Sequence, residues 1–333
     1  MSVVWSICIP TYNRAECLRR NLNYIFKQLT EENRGKIEVL VSNNASRDNT
    51  NDIVKDFINK GYNISYYCNE KNIGPDKNFL QCIDKAQGKY VLLLGDDDVL
   101  LNGAIDCILN ILQQDDYGVV YIANNGLTFV EFVPNNSKLE KNKVDKIIFR
   151  NSNKFIMNVS YFITFMSGLV FNKKYLGDVK YYEQYIGSYL IQINFFIMAI
   201  LKASKNVFVK NSLIASKIND NGGYKLTEVF CTNFNHLLNE YLSKGLKNTT
   251  IKSINNDLIK KFFPHFVCQI RTSDTKFISE DMESIFYNNY NNNWRYWVFL
   301  YPLLKLPVAA LKIYMLFLRV YYKLSRFWGY MIM

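Results

Sequence analysis

From residue 3 to residue 122, short apolar runs rich in β-formers alternate with stretches whose apolar residues recur at helical spacing. No other feature constrains the fold as much. Val3 to Pro10 opens the series as a buried strand. Leu18, Leu22, Ile25, Phe26 and Leu29 then share one helical face, with Thr11 or Asn13 placed to cap that helix. Ile37 to Val41 reads as the second strand, Asn49 to Ile58 as a helix, and Ile64 to Tyr67 as a third strand. Phe79, Leu80, Ile83 and Ala86 mark the next helix, ahead of a strand from Tyr90 to Leu94. Ile105, Ile108, Leu109 and Leu112 make another helix before the strand Val119 to Ile122. The series predicts an α/β fold, a mostly parallel twisted sheet covered by helices. Such sheets bind ligands at the carboxyl ends of their strands, near the point where strand order reverses. The polar clusters Thr11-Tyr12-Asn13, Ser42 to Asp48 and Gly95 to Asp98 therefore belong at one edge.

Beyond this region Ser167 to Phe171 and Val207 to Val209 read as strands, with a helix between about 186 and 202. Residues 123 to 165 carry no clear pattern. From 226 the pattern turns helical, and Pro264 is expected to kink its helix. The expected organisation is thus 1–225, a helical region 226–293, and a tail 294–333.

The 333 residues are 49% hydrophobic and 21% charged, as in a folded protein, and their net charge of +11 calls for an anionic partner. That charge is unevenly placed. After Glu283 there is no acidic residue, while Arg295, Lys305, Lys312, Arg319, Lys323 and Arg326 are all basic. The globular part shows no basic groove interleaved with aromatics, so nucleic acid is not the expected partner. Seven cysteines without a C-x-x-C pair read as reduced, small hydrophobes. With no secretory signal at the start, a cytoplasmic location is expected. His236 and His265 stand apart from any grouping that suggests a metal site.

Leu92-Leu93-Leu94-Gly95-Asp96-Asp97-Asp98 puts three carboxylates directly after a buried strand. Carboxylates grouped there can hold Mg²⁺ or Mn²⁺, and a cation so held can neutralise a departing diphosphate. The plainer reading is a solvated turn in which Asp98 helps start the next helix.

Four motifs in order bear on this choice: Ile9-Pro10-Thr11-Tyr12-Asn13-Arg14, Ser42 to Thr50, Asn72-Ile73-Gly74 with Asn78, and Gly88-Lys89-Tyr90 leading to Leu94 through Asp98. In them the chain resembles the family 2 glycosyltransferases, which have the Rossmann-like GT-A fold. The resemblance implies sugar transfer from a nucleoside diphosphate donor to an acceptor hydroxyl, inverting the anomeric centre. It places Pro10, Thr11, Tyr12 and Asn13 around the nucleotide and Asn43 against the base. Asn72 and Asn78 would line the pocket, Asp97 would meet the ribose, and Asp98 would bind the metal with Asp96 in support. The chain departs from the family pattern at Asn43 and Gly95, where aspartate is usual, and at Lys77, where arginine is common. The family's general-base signature is missing, which leaves Glu183 and Asp220 as candidates, against a surface glutamate and a plain turn. These departures motivate an alternative, a non-catalytic GT-A protein that binds sugar nucleotide or glycan as a scaffold. Asn72 to Leu80 and Tyr185-Ile186-Gly187-Ser188 look similar to the abequosyltransferases of O-antigen assembly. That likeness implies a lipid-linked glycan acceptor in surface polysaccharide synthesis and leaves the sugar open.

The tail from Trp294, with Trp297 close by, is dense in aromatics, but its longest uncharged run before the last residues is nine, Tyr296 to Leu304. That is short of the ~20 needed to span a bilayer. Lys305, Lys312, Arg319 and Arg326 recur every seven residues and form one basic stripe on an otherwise apolar helix. Such a helix lies in the interface of an anionic membrane, here the cytoplasmic face of the inner membrane, as a peripheral attachment. The alternative is a final helix packed on the domain.

Overall fold

The computed structural model describes residues 2–124, 126–129, 133, 144–217, 223–272 and 277–331, with residues 322–331 described by their backbone alone. The first strands form where the sequence is mostly apolar; the polar Ser6 and Glu38 within them are buried together, Ser6 donating to Glu38 at 2.5 Å. Strand β1 (Trp5–Thr11) and β2 (Ile37–Asn43) are buried along their whole length, because helices cover both faces of the sheet. Between them runs α1 (Ala15–Phe26), which buries Leu18, Leu22, Ile25 and Phe26. Next come α2 (Thr50–Asn59), β3 (Ser65–Cys68), α3 (Pro75–Lys85) and β4 (Tyr90–Leu93). The chain continues through β5 (Val99–Leu100), α4 (Ala104–Leu112), β6 (Val119–Ile122), β7 (Thr128–Phe129) and β8 (Lys146–Phe149). It then forms α5 (Ser152–Val159), β9 (Leu169–Asn172), α6 (Ile191–Lys202), β10 (Asn206–Val209) and β11 (Ile214–Lys217).

The large sheet has eight strands in the order β3-β2-β1-β4-β9-β6-β10-β8. The pairs β1/β2, β2/β3, β1/β4 and β6/β10 are parallel. The later strand β9 enters antiparallel between β4 and β6. A second sheet of three short strands has the order β5-β11-β7. This is an α/β fold, a mostly parallel sheet flanked by helices. The chain builds outward from β1 through β2 to β3, then returns to the other side of β1 with β4. The switch point therefore lies at the carboxyl ends of β1 and β4, which are Thr11 and the turn after Leu93.

By compactness the chain divides into one unit of Met1–Asn219 with Lys244–Leu246, and another of Asp220–Ser243 with Lys247–Met333. The second unit is helical, with α7 (Phe234–Glu240), α8 (Asn248–Asp257), α9 (Phe263–Thr272), α10 (Met282–Tyr290), α11 (Tyr301–Lys305) and α12 (Val308–Met331). Phe263 packs edge-on against Phe286 with ring centroids 4.8 Å apart. Asn235, Tyr290 and Asn255 close a ring of three hydrogen bonds beside them. Pro264 is the second residue of α9, directly after a widened π-helical turn at Leu258–Phe262. A π-helical turn is one of the irregularities found where the amide ladder of a helix is interrupted, as proline interrupts it here. Among the described residues no helix is long and apolar enough to cross a membrane. All seven cysteines are free; Cys8, Cys82, Cys107 and Cys231 are buried, whereas Cys68 is exposed.

Candidate functional site

The turn after β4 is held from three sides. The Asp98 amide donates to the Gly95 carbonyl across the turn at 3.1 Å. From α1, Asn21 donates its side-chain amide to the carbonyls of Gly95 and Asp98, each at 2.9 Å. From the segment before β9, Ser167 accepts the Gly95 amide at 2.9 Å and donates to Asp98 Oδ2 at 2.5 Å. Gly95 answers a steric need. A Cβ there would stand 3.0 Å from Asp97 Oδ1 and 3.1 Å from Asp98 Oδ2, in the space on which both carboxylates close. The next helix starts only at Ala104, behind Gly103 in the left-handed region. Asp98 therefore does not start it, and the plain-turn reading loses its stated purpose for this residue.

All three carboxylates are largely withdrawn from water. Asp96 and Asp98 are buried, at 5% and 7% exposure. Thr11, at the end of β1, donates to Asp96 Oδ2 at 2.7 Å. Arg14 Nη1 lies 3.2 Å from Asp96 Oδ1 and 2.7 Å from Asp97 Oδ2. Burial pushes the Asp96 carboxyl up to about 6; Arg14 opposes the rise and Asp97 adds to it. Burial, then the charge of Asp97, pushes Asp98 up to about 7 against hydrogen bonds from Ser167 and Ser216. Among the described residues, Arg14 is the cation placed against Asp96 and Asp97.

A hard divalent cation fits this donor set, which consists of carboxylate and hydroxyl oxygens alone. Among the described residues no three His, Cys, Asp or Glu side chains gather closely enough to hold an ion by themselves. Mg²⁺ is commonly held by only one or two carboxylates, with water and substrate phosphates completing its shell.

The nucleotide-pocket residues expected from the sequence fall into two groups. Tyr12 and Asn13 are exposed, and Asn13, in the left-handed region, ties two loops together. Its amide donates to Ser46 Oγ at 2.9 Å and its Oδ1 accepts the Arg47 amide at 2.8 Å. Asn72 is exposed as well, and its Oδ1 accepts from Gly74 and from Asn44. Pro10, Asn43 and Asn78 are buried. Asn43 Oδ1 accepts the Ser46 amide and its Nδ2 donates to the Tyr66 hydroxyl, both at 2.9 Å. Asn78 is bonded to Ser42 at both ends of its amide. Asn44, Asn21, Ser167 and Arg14 frame the site although the sequence assigned them no role. For Arg14 the available signal was its place one residue before a helix at a strand end. An open cavity of about 460 Å³ beside the start of α1 is lined by Asn13, Arg14, Ala15, Glu16, Cys17, Asp48 and Asn49.

Glu183 is exposed on a 3₁₀ helix, Val179–Tyr185, and no described contact joins it to the acidic turn. Asp220 lies outside the described residues. Asp76, at the start of α3, is buried, and its Oδ2 accepts the amides of Gly187 at 2.7 Å and Tyr189 at 3.2 Å.

In α12, Leu311 and Leu318 are buried, while Ile313, Leu316, Phe317 and Val320 are 73%, 60%, 56% and 50% exposed. Lys312 and Arg319 are exposed between those two faces. Trp294 and Trp297 are exposed too, at 57% and 43%. Lys305 pairs with Glu283 at 2.6 Å, and the side chain of Arg326 lies outside the described residues.

The model of the glycosyl transferase family 2 matches residues 6–171. The chain is 30% identical over 197 residues to abequosyltransferase RfbV of Salmonella typhimurium, covering 55% of this chain and 57% of that one. It is 28% identical over 184 residues to the GalNAc(5)-diNAcBac-PP-undecaprenol beta-1,3-glucosyltransferase of Campylobacter jejuni, covering 55% and 56%. The chain thus spans a little over half the length of these curated relatives. Among solved structures, residues 1–349 of S. aureus TarS align with a TM-score of 0.58 at 20% identity, over 80% of this chain and 78% of that one. The Pyrobaculum calidifontis mannosyltransferase PcManGT, in complex with GDP-Man and Mn²⁺, aligns at 0.54 and 13% identity, over 80% and 72%. At these identities the likeness speaks for the fold.

Proposed function

The chain belongs to the glycosyl transferase family 2 through residues 6–171, and from that premise we propose that it transfers a sugar from a nucleoside diphosphate donor to an acceptor hydroxyl. The observation that carries this reading is the acidic turn. Three carboxylates and one guanidinium converge at the switch point of the sheet, where donor phosphates bind in α/β proteins. Asp98 and Asp96 would hold Mg²⁺ or Mn²⁺, and Asp97 would face the ribose. When bound, the ion supplies charge neutralisation to the leaving diphosphate. Thr11 and Ser167 fix the carboxylates, so their orientation costs no reorganisation during reaction. Tyr12, Asn13 and Asn72 offer the exposed groups of the nucleotide pocket, while Asn43 and Asn78 set the loops that carry them. Glu183 and Asp220 remain the candidates for the base that takes the acceptor proton in a single inverting displacement.

The acceptor we propose is a lipid-linked glycan of a bacterial surface polysaccharide such as an O-antigen. The two relatives support this, one an abequosyltransferase and the other acting on an undecaprenyl diphosphate-linked glycan. The tail suits such an acceptor. Ile313, Leu316, Phe317 and Val320 leave an apolar face open along α12, flanked by Lys312 and Arg319, in a stretch without acidic residues. Anionic lipid matches both chemistries, and the tail would dock the protein on the cytoplasmic face of the inner membrane.

Thermal-shift screening against UDP-, CDP-, GDP- and dTDP-sugars, with and without Mn²⁺, identifies the donor, because a ligand of the native state raises its stability. With that donor, Asp98→Asn is expected to lower transfer roughly 10²–10³-fold. Its metal-free melting temperature should not fall, and at neutral pH should rise, since the amide oxygen still accepts from Ser167 while the buried charge is gone. Undiminished transfer by this variant refutes the catalytic reading and favours a scaffold.

A further inference from the structure

We infer that Arg14 is the resident counter-ion of the acidic turn, neutralising Asp96 and Asp97 while no divalent cation is bound and yielding when one arrives. This rests on the reading of the turn as a cation site. A single guanidinium nitrogen bridges the two carboxylates, 3.2 Å from Asp96 Oδ1 and 2.7 Å from Asp97 Oδ2. The Arg14 side chain is 42% exposed, against 6% for Asp96 and 13% for Asp97. Of the three groups, only the arginine has room to leave.

It also has somewhere to go. The cavity of about 460 Å³ beside the start of α1 is lined by Arg14 itself with Asn13, Asp48 and Asn49, so the side chain can turn into it without disturbing the core. Two neutral contacts of the turn are compatible with a bound cation. Thr11 and Ser167 are neutral hydroxyls, bonded to Asp96 Oδ2 and Asp98 Oδ2, and tolerate a cation nearby. Arg14 does not. A divalent ion sits about 2.0–2.2 Å from its carboxylate oxygens. The guanidinium nitrogen, 3.2 Å from Asp96 Oδ1, would stand within a few ångströms of an ion held by Asp96, where like charges repel. Arginine and metal therefore compete for the Asp96 carboxylate. Competition is reciprocal, so whatever the arginine contributes to the metal-free protein is subtracted from metal affinity.

The test is Mn²⁺ binding to the full chain by isothermal titration calorimetry, in the wild type, Arg14→Gln and Arg14→Lys. The neutral variant is expected to bind Mn²⁺ about tenfold more tightly than the wild type. Arg14→Lys, which keeps the charge but loses the planar fork, should fall between them. A second readout is the melting temperature. Arg14→Gln should melt below the wild type without metal, and the gap should close at saturating Mn²⁺. Equal or weaker Mn²⁺ binding by Arg14→Gln overturns the inference while leaving the cation site standing. No Mn²⁺ binding by any of the three proteins removes the cation site and the inference together. If Arg14→Gln does not fold, Arg14→Lys decides the matter, with about threefold tighter binding expected and unchanged affinity as the overturning result.

Discussion

The acidic turn and the last helix invert the usual distribution of polarity in opposite ways. At Gly95–Asp98, carboxylates are buried; along α12, large apolar side chains face water. The turn is held by Asn21, Thr11, Arg14 and Ser167, residues remote from it in sequence. The helix holds on through Leu311 and Leu318 and leaves a full stripe uncovered. On the proposed function the turn would take up a divalent cation, and the helix an anionic lipid surface.

The largest expected effect concerns the turn. Asp96 and Asp98 titrate near 6 and 7 in the folded, metal-free protein, against about 4 when unfolded. Between pH 4 and 7 the native state therefore binds more protons than the unfolded state, and stability falls as pH rises through that window. The loss should be on the order of a few kcal/mol in urea titrations without divalent ions, and Asp98→Asn should remove much of the slope. A flat profile in the wild type would mean that the carboxylates are already compensated, and the contrast with the helix would disappear.

Next in size is the apolar stripe. Leu316→Glu with Phe317→Glu should weaken binding to anionic vesicles roughly 10–100-fold, since each side chain is worth about 1.5–3 kcal/mol when fully buried. Both are more than half exposed in the protein alone, so its melting temperature should barely move. A large fall in melting temperature would show that the stripe is covered by protein.

The smallest effect separates the cations. Lys312→Gln and Arg319→Gln should each cost about 1 kcal/mol of vesicle binding at low salt. Lys305→Gln should cost less, because Glu283 already pairs with it. Equal losses at all three positions would erase that distinction.

How much of this was legible in the sequence depended on the range of the interaction. β1, β2 and β4 could be read because helices cover both sides of the sheet and their residues are mostly apolar. The acidic turn followed from its place after β4. The direction of β9 could not be read, because an apolar run carries no sign of which neighbours it will pair with. The strands β5 and β7 are two residues long and show no periodicity at all. The partners of the turn were hidden by distance, since Arg14 and Asp96 are brought together across 82 positions. Asn43 was read as a residue facing the base, and its bonds to Ser46 and Tyr66, which use one N–H and one lone pair of its amide, could not be read. Residue identity alone does not reveal which groups a buried side chain has already satisfied.

Asp76 has a mechanical consequence. Its backbone begins α3, just past Asn72-Ile73-Gly74, and its carboxylate grips two amides of the bend that leads into α6. That bend holds Tyr189 at a φ of 59°, a left-handed conformation that costs free energy in a side chain of this kind. The start of α3 and the bend before α6 are thus joined through one carboxylate, and replacing it would free both segments at once.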